Sequence, residues 1–191
     1  MASTIYGIDS FVFAIFCFFE KISIGFRIAH IAKDDIKSLV IDLYVIFKCF
    51  FAMSLLFLSV CMEKNSITTL SLSIASIYMI IETMSALAKK ILYPSTTAVP
   101  SNRRASLLII FNWLEVIILF ATLYSLSNSV ILTTGIPKVF DFFYFSFLSS
   151  VTMDMNGATL VGIGKVILIC QITTFIIFLT LFFSHNFGRL P

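Results

Sequence analysis

A polar hairpin between two apolar segments holds the residues whose types and spacing best suit contact with an ion. Its six residues are Thr152, Met153, Asp154, Met155, Asn156 and Gly157. The hairpin follows a short aromatic segment, Pro137 to Val151, and precedes a long apolar segment, Gly162 to Ser184. Backbone that is neither helix nor closed barrel is tolerated at membrane depth only where protein buries it or water reaches it. The hairpin therefore indicates an aqueous path.

Four charged residues inside apolar segments form a second group: Asp42, Lys48, Glu82 and Glu115. An intramembrane charge costs about 2.5–3.5 kcal/mol on insertion scales, so such side chains usually face protein and pair with one another. We place Asp42 and Glu82 in the inner half of the membrane and Lys48 nearer its middle. Lys48 is expected to pair with Glu82 or Glu115. This pairing favours a structural role for the charges, and a sensor or a proton relay is the alternative.

Motifs for catalysis are absent from the sequence. His30 and His185 lie far apart, and there is no nucleotide-binding loop, metal-ligand cluster or nucleophile motif. The cysteines show neither zinc spacing nor a paired framework; they are Cys17, Cys49, Cys61 and Cys170. The net charge of +3 is too small to indicate a nucleic-acid partner. We therefore predict that the protein is not an enzyme and has no catalytic residue, metal or cofactor.

The elements that must position these residues are helices in a membrane. Hydrophobic residues make up 59% of the 191-residue chain and charged residues only 12%, against about 25% charged residues in a soluble domain. A spanning helix needs about 20 mostly apolar residues, and four segments qualify: Ser38 to Met62, Thr68 to Leu87, Ser106 to Leu126 and Gly162 to Ser184. Charges interrupt Phe11 to Ile31, which we interpret as a helix lying at the membrane interface. A fifth span is the alternative for that segment.

The predicted fold is all-α: a multi-pass membrane protein with four transmembrane helices, a re-entrant pore helix and loop, and an N-terminal interfacial helix. We divide the chain into the N-terminal helix (1–37), a front pair of spans (38–92), a cytoplasmic linker (93–104) and a pore domain (105–191). Positive residues in short connections mark the cytoplasmic side; they are Arg27, Lys33, Lys37, Lys89, Lys90, Arg103 and Arg104. Both termini are thus predicted to lie in the cytoplasm, beneath the cell membrane, and the hairpin opens from the outside.

The run Asp141-Phe-Phe-Tyr-Phe-Ser-Phe-Leu-Ser-Ser-Val-Thr152 resembles the pore helix of tetrameric potassium-channel-type proteins, which often read D-x-x-Y-F-S-x-x-T-x-T-T. The run Gly162-Ile-Gly-Lys165 is similar to the G-[RK] start of the inner helix in that family. The resemblance covers residues 106–184 and nothing before them. It implies a homotetramer around a pore, with residues 152–157 as the selectivity filter and a monovalent or divalent cation as the permeant ion.

The filter is where the sequence departs from the family, whose motif continues V-G-Y-G-D. The two glycine positions are held here by Asp154 and Asn156. Among residues other than glycine, Asp and Asn tolerate a positive φ best, so the hairpin backbone is expected to persist. Four Asp154 carboxylates around an axis would form a charged ring, which selects ions differently from a cage of carbonyls. We therefore expect weak selectivity, or a preference for a cation other than potassium.

One face of the last span is predicted to line the pore below the filter. Its residues recur at spacings of three and four and so share a helix face; they are Gln171, Thr174, Phe178 and Phe182. A phenylalanine here would close the pore by excluding water. The alternative is that this face packs on neighbouring helices.

The predicted function is passive cation conduction by a homotetramer in a lipid bilayer, with a regulatory protein as a further partner. Two alternatives stay open. One is a non-conducting structural or regulatory membrane subunit. The other is an effector that depolarises a membrane when a partner triggers it.

Overall fold

A computed structural model describes residues 21–31, 36–63, 65–92, 102–132, 138–151 and 158–187, together with Gly7, Ala14, Cys17 and Phe18. The named helices are α1 (Ile24–Ile31), α2 (Lys37–Cys61), α3 (Ser66–Leu92), α4 (Asn102–Ser127), α5 (Val139–Ser150) and α6 (Gly164–Phe187). Two short strands are β1 (Val130–Leu132) and β2 (Ala158–Leu160). The described chain is therefore mostly helical, as predicted. Residues 93–101 of the predicted linker (93–104) are not described. Residues 102–104 of the linker belong to α4, which begins at Asn102.

Three helices are long and apolar enough to cross a membrane. They are Ser38–Cys61, Ser66–Ala88 and Ser106–Ser127, with mean hydropathies of 2.1, 1.6 and 2.2. These segments coincide closely with the first three predicted spans and are those of a membrane protein. The fourth predicted span falls on α6, whose apolar part, Gly164–Thr180, is shorter. The number of four spans stays a prediction.

Helix α4 lies at the centre of the bundle, in contact with α2, α3, α5 and α6. Within an apolar 18-residue stretch of its candidate span 50% of the residues are buried, against 33% in each of the other two. Ile117, Leu119 and Tyr124 are almost completely buried there. The outer face of α2, by contrast, exposes large aromatic side chains such as Phe47 and Phe50. A helix that is apolar all round suits a central position, and an exposed aromatic face suits contact with lipid.

Helix α1 packs on the front pair of helices. A Cβ atom on Gly25 would lie 2.6 Å from Cε1 of Tyr44 in α2, so the glycine permits this close approach. The hydroxyl of Tyr78 in α3 donates a hydrogen bond of 3.2 Å to the carbonyl of Ile22. These contacts attach residues 21–31 to both helices of the front pair. The interfacial and spanning interpretations of the N-terminal segment both stay predictions.

Helix α5 is half the length of its neighbours. Its 12 residues extend about 18 Å at 1.5 Å per residue, whereas the hydrocarbon core of a bilayer is about 30 Å thick. The carboxylate of Asp141 accepts a hydrogen bond of 2.7 Å from the backbone N–H of Lys138. This bond and the favourable helix dipole fix the start of the helix. The short helix expected from Pro137 to Val151 thus extends over Val139–Ser150, and Pro137 itself lies outside the described residues.

The strands β1 and β2 join the end of α4 to the start of α6. They are antiparallel, with Val130 opposite Leu160, and the N–H of Val161 donates to the carbonyl of Ser129 at 3.0 Å. A Cβ atom on Gly164 would lie only 2.6 Å from Cβ of Ser129, so only glycine fits without a shift. This strand pair was not expected from the sequence. It holds together the two ends of the segment that contains α5 and the hairpin.

Candidate functional site

A buried charge cluster joins α2, α3 and α4. The Nζ atom of Lys48 lies 3.5 Å from Glu82 Oε2 and 3.1 Å from Glu115 Oε1. The three side chains are 8%, 4% and 0% exposed. Lys48 thus pairs with both of the carboxylates that the sequence offered as alternatives. Because each charge comes from a different helix, the pairs hold the three helices together.

Glu82 accepts more hydrogen bonds from the protein than Glu115 does. The hydroxyl of Tyr44 donates to its two oxygens at 3.1 and 3.2 Å. Its Oε1 atom also accepts from the hydroxyl of Ser23 at 2.7 Å and from the backbone N–H of Gly25 at 3.1 Å. Glu82 therefore connects the charge cluster to the N-terminal segment as well as to α2.

Thr83 links Lys48 to the other carboxylate. The ammonium of Lys48 donates to Thr83 Oγ1 at 2.6 Å, and the Thr83 hydroxyl donates to Glu115 Oε1 at 3.1 Å. The second oxygen of Glu115, Oε2, is buried and has no hydrogen-bond partner among the described residues. The two carboxylates thus differ sharply in how many donors they face.

Asp42 has a partner of its own near the beginning of α2. Nε and Nη2 of Arg104 donate to its carboxylate at 2.8–3.1 Å. Arg104 Nη2 also donates to the carbonyl of Ser38. The two side chains are 39% and 30% exposed, which agrees with a position near the end of the helices. The arginine that the sequence assigned to the positive-inside pattern therefore also neutralises an acid.

A second buried network anchors α5 between α4 and α6. Nε2 of Gln171 donates to the carbonyl and to the hydroxyl oxygen of Ser146 at 2.7 and 2.9 Å. The Ser146 hydroxyl donates to the carbonyl of Ile117 at 2.7 Å, and the Tyr124 hydroxyl donates to Gln171 Oε1 at 2.8 Å. Gln171 is only 2% exposed. This network fixes the short helix at its middle, from two sides.

Of the four residues predicted to line a pore, Gln171 and Phe178 are buried inside their own chain, and Thr174 and Phe182 are half-buried. Gln171 belongs to the network that holds α5, and Phe178 is buried beside Leu87 and Ile109. Thr174 lies on a shallow cavity shared by α4, α5 and α6, and Phe182 packs against Phe178 and its neighbours. Here the structure differs from the sequence prediction: it places this face against neighbouring helices, which is the alternative stated above. The buried polar groups of Gln171 explain that placement, because they need partners inside the chain.

The opposite face of α6 is open in the single chain. It is exposed along the length of the helix at helical spacing, and it combines aliphatic side chains with two hydroxyls and a thiol: Val166, Ile169, Cys170, Thr173, Ile176, Ile177 and Thr180. The hydroxyl of Thr180 bonds back to its own helix, at the carbonyl of Ile176. This face thus has no neighbour among the described residues of the chain.

The predicted filter, Thr152 to Gly157, lies outside the described residues. Its two flanks are described. Helix α5 ends at Ser150, whose hydroxyl donates to the carbonyl of Phe147 at 2.7 Å, and β2 begins at Ala158. One flank is therefore a helix held by Gln171, and the other is a strand paired with β1.

Several hydrogen-bond partners in these two networks were not predicted from the sequence. Tyr44, Thr83 and Ser146 carry ordinary polar groups that only the tertiary structure brings to a charge or an amide. One signal was readable for Ser146, a lone small polar residue within an aromatic helix, since such residues often bond across helices in membranes. Tyr44 lies four residues before Lys48 and so shares its helix face. Thr83 offered no comparable signal.

Comparison of the chain with protein-family models, with curated proteins and with solved structures gave no match.

Proposed function

We propose that the chain is one subunit of a homotetrameric cation channel in a cell membrane, with residues 152–157 as its filter. The observation that carries this proposal is the attachment of α5. A helix of 12 residues is held at Ser146 by both α4 and α6, and a polar hairpin follows its last turn. A half-length helix wedged between two long ones is the arrangement expected where chain enters a membrane and turns back.

The helix dipole supports a cation as the permeant species. The C-terminal end of a helix carries partial negative charge, and the C-terminal end of α5 leads directly into the hairpin. Asp154 would add a full carboxylate at that place. One hairpin cannot encircle an ion, so several copies must contribute, and the resemblance to tetrameric channels sets the number at four. The absent filter glycines favour weak selectivity or a cation other than potassium.

The open face of α6 forms the rest of the wall of the proposed pore. In the proposed tetramer this face turns toward the axis, where Thr173 and Cys170 contact water and the aliphatic residues narrow the path. Gln171 and Phe178 then serve the interior of each subunit. Helix α6 is the fourth span in this arrangement. Both chain termini lie in the cytoplasm, because the ends of α2 and α4 that bear Lys37 and Arg104 are on that side.

Ion flux into liposomes tests the proposal. The purified full-length chain is reconstituted, and potassium and sodium uptake are measured separately under a concentration gradient. Flux of at least one cation is expected, and Asp154→Asn should lower it several-fold because the charged ring is lost. Glu63→Gln is the matched control, since Glu63 is exposed in the turn after α2, and its flux should equal that of the unmodified chain.

The stoichiometry is measured on the same samples by chemical cross-linking. Four linked chains are expected. A stable particle of another stoichiometry, or a tetramer that passes no cation at any pH or potential, would overturn the channel proposal. A tetramer without flux would instead favour the non-conducting subunit.

A further inference from the structure

The buried charge cluster contains one more acid than base. Lys48 faces two carboxylates, Glu82 and Glu115, and all three are almost completely buried. The nearest other charged pair, Asp42 with Arg104, is closed on itself. By position Lys48 lies ten residues into its candidate span, or about 15 Å from its end, which is the middle of the bilayer. An unbalanced charge is unfavourable at that depth, so one further proton would stabilise the cluster.

The hydrogen bonds distinguish the two carboxylates. Glu82 accepts from Ser23, from Gly25 and, on both oxygens, from Tyr44. Donors of this kind stabilise the ionised form of an acid. Glu82 is therefore the carboxylate that stays charged and balances Lys48.

Glu115 has donors from the described residues on one oxygen only. Its Oε1 atom accepts from Lys48 and from Thr83, both at 3.1 Å. Its Oε2 atom is buried and receives no hydrogen bond from the described residues. An ionised oxygen left in that position would lack every donor it needs. The ammonium of Lys48 lies beside the same carboxyl and would repel a metal cation. A proton is therefore a better ligand for Glu115 than a metal ion.

We propose that Glu115 is a proton-binding site, with the proton on Oε2 in the folded protein at neutral pH. The cluster is then electrically neutral. Loss of the proton would leave an unpaired carboxylate between α2, α3 and α4. The titratable and charged groups that interact with it electrostatically among the described residues are those of α2 and α3: Tyr44, Lys48, Cys49 and Glu82.

The site has a direct connection to the short helix. Ile117 lies two residues after Glu115 on α4, and its carbonyl accepts the hydrogen bond of Ser146 in α5. A charge that appears at Glu115 therefore acts on the part of α4 that holds α5. The coupling of Glu115 to α5 rests on the proposed function, and it predicts that cation flux depends on the proton at Glu115.

Infrared spectroscopy of the reconstituted full chain tests the proton directly. The spectrum at neutral pH should contain the C=O stretching band of a protonated carboxyl, which Glu115→Gln removes and Asp42→Asn leaves unchanged. Glu115→Asp should shift the frequency of the band, because the acid that carries the proton is replaced, whereas Glu82→Asp should not. Absence of a band that depends on Glu115, or a band that moves only with Glu82→Asp, would overturn the proposal.

Two further measurements keep the test independent of folding and of conduction. Glu115→Gln should retain the unfolding midpoint of the unmodified chain, since glutamine has the shape of the neutral acid. Flux should change at the alkaline pH at which the infrared band disappears, and the Glu115→Gln variant should lack that change. A flux that is constant across this pH range would refute the coupling to α5. If no flux occurs at all, the channel proposal fails while the band still decides whether Glu115 holds the proton.

Discussion

The phenolic hydroxyl of Tyr124 donates a hydrogen bond of 2.8 Å to Oε1 of Gln171, and this bond joins the central helix α4 to α6. The amide of Gln171 in turn donates to Ser146 in α5. One glutamine side chain thus connects three helices. Its position decides which face of α6 stays open in the single chain.

Gln171→Leu should destabilise the chain by about 1–2 kcal/mol, because it leaves the Tyr124 hydroxyl and the Ser146 carbonyl without their partner in a buried place. The free energy of unfolding is measured by titration with SDS in mixed micelles. Combination with Tyr124→Phe in a double-mutant cycle isolates the bond between the two side chains, for which a coupling of about 1 kcal/mol is expected. Strict additivity of the two variants would show that the bond contributes nothing.

Lys48→Met should destabilise the chain by about 3–5 kcal/mol, because it removes the positive partner of a buried charge pair and leaves the acids in place. The same titration measures the loss. The double variant Lys48→Met with Glu82→Gln should recover at least half of it, since with the proposed proton on Glu115 no unpaired charge then remains. A loss below 1 kcal/mol in the single variant would mean that the cluster is solvated rather than buried.

Arg104→Gln should have a small effect, about 0–1 kcal/mol, although Arg104 donates three hydrogen bonds of 2.8–3.1 Å to Asp42. Both partners are about one third exposed, and water and salt screen exposed pairs. The comparison with Lys48→Met, in the same assay, tests whether burial rather than contact distance sets the energy of a pair. Equal losses in the two variants would contradict that expectation.

Gly164→Ala should destabilise the junction of α4, β1 and α6 by about 1–3 kcal/mol through steric overlap. The added Cβ would lie 2.6 Å from Cβ and 2.7 Å from Oγ of Ser129. Ser129→Gly removes both atoms, so the double variant should recover much of the stability in SDS titration. A double variant as unstable as Gly164→Ala alone would rule out Ser129 as the obstacle.

Thr173→Cys and Thr174→Cys should differ in their reaction with a charged, membrane-impermeant thiol reagent. All four native cysteines are first replaced by serine, because Cys61 and Cys170 are exposed thiols. In that background Thr173→Cys lies on the open face of α6 and should react, with a loss of cation flux. Thr174→Cys is the matched neighbour on the face turned toward α4, where it lines a cavity with Phe178, and it should stay unmodified. The reverse pattern would restore the pore-lining face first predicted from the sequence.

The main helices were largely predictable from the chain. Long apolar runs yielded the three candidate spans within a few residues at most boundaries, because a helix that crosses lipid must satisfy its backbone internally and keep charge out. The short length of α5 was also predictable, because its apolar run is too short to cross a membrane. The strand pair was not, since three residues such as Val130–Leu132 carry no recognisable period.

Charges in apolar segments need partners, and the sequence alone offers Lys48 with Glu82 or Glu115 as candidates. The packing of α2, α3 and α4 brings Lys48 to both, and it places donors at both oxygens of Glu82 but, among the described residues, none at Glu115 Oε2. The tertiary structure also decided which face of α6 is open. That helix is apolar on every side, so its pattern contains no signal for orientation; the hydrogen bonds of one glutamine, formed with two other helices, provide it.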